Sequence, residues 1–181
     1  MITMQMRSGR LVNVEDLRHD DIDLGDIAYH LSSKSRYNGA TRYTVAQHCV
    51  LASLLVLPGY PASFDVGNQI HAFTHDWHEA YTGDLPSPFK RDARYKHHDR
   101  LELKVQRAIL DRFSISYPRY PFVTTNVDLR LLATEKRDLL RPCEWKKPPP
   151  LPPFESIRIK VWSQAKAERE FLKVAAHFGI E

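Results

Sequence analysis

Cysteine is nearly absent: Cys49 and Cys143 are all that 181 residues carry. Two thiols cannot build a disulfide scaffold, so a reducing cytoplasm is the expected compartment. Long apolar runs are missing too. None approaches the ~18 residues needed to cross a bilayer, so no membrane association is expected. The N-terminal stretch carries Met and Arg but no hydrophobic h-region, and no signal peptide is expected. Charge of one sign is in only slight excess. The net +4 favours anionic ligands, yet it is small and dispersed. No nucleic-acid motif or long basic face occurs, so no nucleic-acid partner is expected. Repeats and biased tracts are lacking except for Pro148-Pro149-Pro150-Leu151-Pro152-Pro153. What is present is ordinary: 43% hydrophobic and 27% charged residues, enough for one compact domain with a sizeable core.

The hydrophobic spacing predicts helices and little or no strand. Residues 7 to 14 read as a turn and a short extended piece. Asp23 is a candidate cap for a helix to about Ser32, with Leu24, Ile27, Ala28 and Leu31 facing inward. Thr44 to Gln47 has a capping-box pattern before an apolar helix to about Leu57, which Pro58-Gly59-Tyr60-Pro61 ends. Asp65 is a candidate cap for a central helix to about Thr82. A long amphipathic helix follows at about 92–113, then a loop at Tyr117-Pro118-Arg119-Tyr120-Pro121. Thr125 is a candidate cap for a helix to about Leu140. The proline tract reads as an extended surface connector at 148–153. Ser163 caps a last helix to about 178, with Phe171, Leu172, Ala175 and Phe178 inward. The expected architecture is all-α, one domain over 1–181, with its core at about 20–145.

The chemistry concentrates at His75-Asp76-Trp77-His78-Glu79 and continues to Asp84. At ~100° per residue, Glu79 projects between His75 and Asp76, giving one polar face. Ile70, Phe73, Trp77 and Tyr81 form the opposite, core-facing stripe. Gly83 breaks the helix and Pro86 and Pro88 keep the next stretch extended, so a loop can turn Asp84 back over the motif. Such a set suits a cation beside a carboxylate that moves a proton. Arg36 offers a planar fork of donors to phosphate, and Tyr37 offers a ring to a base, on a loop with Asn38 and Gly39.

The runs Tyr43-Thr44-Val45-Ala46-Gln47-His48, His75-Asp76-x-x-Glu79-Ala80-Tyr81-x-Gly83-Asp84 and Leu132-Ala133-Thr134-Glu135-Lys136-Arg137-Asp138 resemble the HD-domain phosphohydrolases. Over roughly residues 7–175 the chain is similar to YfbR-type 5'-deoxynucleotidases and to phage dATP triphosphohydrolases of the DatZ type. The resemblance implies an HD-domain helical bundle. It implies His48, His75, Asp76 and Asp128 as ligands of a divalent transition metal (Zn, Co or Mn), with Mg at a second site near Glu79 and Asp84. It also implies Arg36, Tyr37 and Gly39 at the nucleotide, Lys90 near the phosphates, and a homo-oligomer, dimer or hexamer. Blander readings stay open: His48 as a core histidine, Asp128 as the third residue of a capping box from Thr125, His97-His98 as a solvated pair. His71 and His78 are left out of the ligand set.

The metal in such a site polarises a phosphate oxygen and activates water, while Asp84 or Glu79 gives a proton to the leaving 5'-oxygen. The expected activity is hydrolysis of deoxynucleotides: dATP or another dNTP to deoxynucleoside and triphosphate. The alternatives are a 5'-deoxynucleotidase acting on dNMPs and a nucleotide-sensing module without turnover.

Overall fold

The computed structural model describes residues 1–56, 65–90, 92–118 and 120–181, apart from the side chains of Asp65 and Ser87. The expected helix stop at Pro58–Pro61, the Asp65 cap and Arg119 lie outside the described residues. The chain opens with a small antiparallel hairpin, β1 (Thr3–Gln5) and β2 (Leu11–Asn13), with Met4 opposite Val12. Gly9 turns it with φ 88°, a left-handed conformation that glycine takes without strain. The extended piece read at 7–14 is thus one arm of a hairpin.

The rest is mostly helical. The helices are α1 (Leu24–Ser33), α2 (Val45–Leu54), α3 (Asp65–Thr74), α4 (Glu79–Thr82), α5 (Ser87–Lys90), α6 (Lys96–Arg112), α7 (Pro121–Leu139) and α8 (Gln164–His177). Three starts follow the caps visible in the sequence. Asp23 accepts from the Asp26 N–H, Thr44 from Gln47 and Ser163 from Lys166. Gln47 does not complete the capping box of Thr44. Its amide instead donates to Lys160 O at 2.8 Å and accepts from the Trp162 N–H at 2.9 Å.

Other boundaries differ from the sequence reading. α7 starts at Pro121, where a missing N–H costs nothing. Thr125 is therefore inside the helix, its hydroxyl donating to Pro121 O at 3.2 Å. Asp128 then sits two turns in and caps nothing. Pro86 and Pro88 do not keep the chain extended: the short α5 forms there, with Pro88 in its first turn. Leu172, expected inward on α8, is exposed, whereas Ala167, Phe171 and Ala175 are buried.

Apolar burial organises the bundle around α2. Residues Val45 to Val50 are all buried, as a helix enclosed on every side requires. One face of α2 joins a cluster with Ile27, Leu31, Phe73, Trp77, Val105, Ile109 and Phe171. Ala52 and Val56 join a second cluster with Tyr43, Ala72, Val127, Leu131 and Phe154. α8 packs on α1 and α2. The stretch after the proline tract is pinned rather than loose. Arg137 donates to Phe154 O and Ile157 O, Asp138 accepts from the Ile159 N–H, and Thr134 Oγ1 accepts from the Phe154 N–H. Cys49 is buried and Cys143 exposed, and both are free thiols. Among the described residues no helix is long and apolar enough to cross a membrane.

Candidate metal centre

The central helix expected at 65–82 is broken in two, and the break carries the motif. In a continuous helix the His78 N–H would bond Thr74 O. Here the side chain of Gln106, from α6, takes both groups. Its Nε2 donates to Thr74 O at 2.8 Å and its Oε1 accepts from the His78 N–H at 3.1 Å. An inserted side chain opens the ladder. Residues between α3 and α4 then turn through i to i−3 bonds, Trp77 to Thr74 and Glu79 to Asp76, each 3.1 Å. Trp77 anchors this turn from below. Its ring centroid lies 5.1 Å from that of Phe73, 5.2 Å from Phe171 and 5.7 Å from Phe113.

His48 from α2, His75 and Asp76 each bring one ligand atom within 4.8 Å of the others. His48 Nε2 stands 3.4 Å from His75 Nε2, 3.8 Å from Asp76 Oδ2 and 3.2 Å from Asp128 Oδ1. His75 Nε2 stands 3.2 Å from Asp76 Oδ2. Donors bound at ~2.0–2.2 Å around one divalent ion stand ~3–3.5 Å apart, so this nest has the right size. The tautomers fit as well. His75 Nδ1 lies 2.8 Å from Ala72 O, which can only accept, and His48 Nδ1 lies 2.6 Å from a carboxylate oxygen of Glu135. Both Nδ1 atoms carry hydrogen, and both Nε2 lone pairs face the nest.

Electrostatics agree. Burial opposes ionisation of Asp76, but His75, His48 and Arg36 hold its carboxyl well below the usual range. Asp128 is also lowered: burial opposes this, and hydrogen bonding to His48 outweighs it. Burial and Arg36 disfavour a charged His48, yet Glu135 and Asp128 raise it to about 9.

The proton-moving candidates lie beside the nest. Glu79 is 2% exposed, and among the described residues its Oε2 is buried without a hydrogen-bond partner. Burial first, then Asp76 and Asp84, raise its pKa well above the carboxylate range. Asp84 is raised mainly by burial, with Arg36 opposing. Lys90 Nζ sits 3.8 Å from Glu79 Oε1 and 2.8 Å from Glu102 Oε1. His78 offers a ligand atom within 4.8 Å of Asp76 and Glu79, so it belongs to a second candidate group despite its place outside the expected set. His71 is pinned to Thr124 Oγ1 at 2.6 Å, and burial with His75 lowers it to about 4. His98 is half-buried 3.2 Å from Glu102 Oε1, not solvated as expected.

Arg36 Nη1 lies 3.3 Å from Asp76 Oδ2, and its Nε 3.4 Å from Glu135 Oε2. The Tyr37 hydroxyl donates to Glu135 Oε2 at 2.5 Å. Gly39 is exposed, with φ 79°, at the end of the same turn. Sequence reasoning missed Glu135 and Gln106 as site residues. Glu135 had a signal, standing seven residues, or two helical turns, after Asp128 on one face of α7. Gln106 had none, being one more polar residue on an amphipathic helix.

No family model matches the chain. It is 37% identical over 137 residues to the uncharacterized protein YfdR of Escherichia coli (strain K12), covering 73% of this chain and 69% of that protein. It is 34% identical over 92 residues to an uncharacterized protein of Rhodobacter capsulatus, spanning 48% of this chain and 45% of that protein's length. Neither name specifies an activity. The first match extends over more than two thirds of both chains, and the chain belongs to the family of Escherichia coli YfdR.

Proposed function

We propose that the protein is a metal-dependent phosphohydrolase of deoxynucleotides, acting first on dATP or another dNTP. The carrying observation is a nest of His48, His75 and Asp76 at cation-binding separations, with Asp128 Oδ1 3.2 Å from His48 Nε2 and Glu79 grouped with Asp76 and His78 beside it. His48, His75 and Asp76, with Asp128 alongside, would hold a divalent ion, which would supply a Lewis acid for a phosphate oxygen and lower the pKa of a nearby water.

The chain's own residues do the rest. Arg36 and Lys90 place positive charge on either side of the nest, where a phosphate needs it. Burial raises the pKa of both Glu79 and Asp84, and on Glu79 the charges of Asp76 and Asp84 add to it, which suits this pair to supplying a proton. Water attacks the α-phosphorus, the bond from phosphorus to the 5'-oxygen breaks, that oxygen takes a proton from Glu79 or Asp84, and the attacking water's proton passes to the other carboxylate. The products are deoxynucleoside and triphosphate. A dNMP would follow the same path and release phosphate, so the 5'-deoxynucleotidase reading shares every residue assignment. The test is turnover of dATP and dAMP by the wild type and Asp76→Ala in Mn²⁺ or Co²⁺. Release of deoxyadenosine by the wild type alone supports the proposal, and equal background release refutes it.

A further inference from the structure

Glu135 is a fully buried carboxylate that no step of the proposed reaction uses. Its two oxygens have different tasks. Oε1 accepts from His48 Nδ1 at 2.6 Å, which leaves His48 Nε2 to the nest. Oε2 accepts from the Tyr37 hydroxyl, with Arg36 Nε 3.4 Å away. One side chain thus ties a ligand on α2 to the loop that carries the substrate-facing residues.

That loop is held in an unusual shape. Tyr37 has φ 58° and Asn38 φ 52°, both left-handed, followed by Gly39 at 79°. Side chains other than glycine adopt this region rarely, and they persist there only where the surroundings fix them. Part of the fixing is local: the Arg36 N–H donates to Tyr43 O at 2.9 Å and the Ala40 N–H to Tyr37 O at 3.0 Å. A bridge between Ser35 and Thr44 closes the base of the loop. Two further tethers reach the metal ligands: Arg36 Nη1 lies 3.3 Å from Asp76 Oδ2, and the Tyr37 hydroxyl on Glu135 holds the left-handed stretch itself.

We infer that Glu135 is a positioning residue that couples metal occupancy at His48 to the order of the Arg36–Gly39 loop. The inference rests on the metal reading given above. A cation on His48 Nε2 strengthens the Nδ1–H donor and fixes the Glu135 carboxylate. The fixed carboxylate then holds Tyr37, and with it Arg36, in the conformation that faces a nucleotide. Outer partners of this kind change metal affinity ~10–100-fold when altered.

The test needs no turnover. Co²⁺ is titrated into the wild type, Glu135→Gln and Tyr37→Phe, and hydrogen exchange over residues 36–42 is followed with and without saturating Co²⁺. Wild type should bind Co²⁺ and slow exchange in this segment. Glu135→Gln should bind Co²⁺ ~10–100-fold more weakly. Tyr37→Phe, which leaves the buried carboxylate in place, should bind Co²⁺ within a few-fold of wild type yet lose the metal-dependent slowing. Wild-type affinity in Glu135→Gln, or full slowing in Tyr37→Phe, overturns the coupling and leaves the metal reading intact. Failure of the wild type to bind Co²⁺ overturns both.

Discussion

His75 and Asp76 stand at the residue scale where the account is most exposed. Each places its donor atom in the nest. His75→Ala or Asp76→Ala should therefore abolish both tight metal binding and turnover, measured by metal analysis after desalting and by product release. Full metal occupancy in His75→Ala would contradict the ligand assignment. Glu79 makes a different prediction, because its proton rather than its ligation is at issue. Burial first, then Asp76 and Asp84, raise its pKa well above the carboxylate range. Glu79→Gln should lower kcat by ~10²–10⁴-fold while the tight metal remains bound. Unchanged kcat there and in Asp84→Asn would remove the proton-transfer role.

At the scale of elements, the decisive feature is the gap between α3 and α4. A continuous helix would set His75, Asp76 and Glu79 by helical rotation alone. The inserted Gln106 amide sets them instead, by holding Thr74 O and the His78 N–H apart. Gln106→Leu should leave both groups without that partner, costing ~1–3 kcal/mol, or let the helix close and turn the ligands away. Either way metal affinity should fall although no ligand is changed. A wild-type Co²⁺ titration in Gln106→Leu would show that the break does not position the motif. The same element explains how far the sequence could be read. The apolar stripe through Phe73 and Trp77 is local and was legible from spacing, whereas the shared face of His75, Asp76 and Glu79 was read from a continuous helix that is broken here: Asp76 groups with His48 and His75 on one side and with His78 and Glu79 on the other. The caps at Asp23, Thr44 and Ser163 were legible because capping is chemistry within four residues. The break was not, since its cause lies 28 residues away in sequence, on α6. Glu135 escaped notice for a related reason: its partners, Tyr37 and His48, are 98 and 87 residues distant.

Across the whole molecule, buried charge makes stability depend on pH and metal together. His48 is raised from 6.5 to about 9. A group raised on folding stabilises fully below its unfolded pKa and loses that contribution as pH rises through the folded value. Glu79, raised by burial, acts in the same sense above its unfolded value of 4.5. Asp76, Asp128 and Glu135 are lowered, so their contributions are present above the ordinary carboxylate range and lost as pH falls. Metal-free protein should thus lose stability between pH 6.5 and 9, by on the order of 3 kcal/mol from His48 alone. With metal bound the His48 contribution to the slope vanishes over the same range, because His48 is deprotonated in the loaded fold and, above pH 6.5, in the unfolded chain as well. Thermal melts with chelator should show Tm falling between pH 6.5 and 9, and saturating Co²⁺ should flatten that slope. Parallel slopes would mean that His48 does not exchange its proton for a metal.

The central claim is that this nest and its neighbouring carboxylates hydrolyse deoxynucleotides. A panel of dNTPs, dNMPs and rNTPs with Mn²⁺, Co²⁺, Mg²⁺ and Zn²⁺, resolved by product chromatography, tests it most directly. The account predicts deoxyadenosine and intact triphosphate from dATP with at least one transition metal, and no such products from Asp76→Ala. No nucleoside from any nucleotide, with protein shown to be metal-loaded, would contradict it.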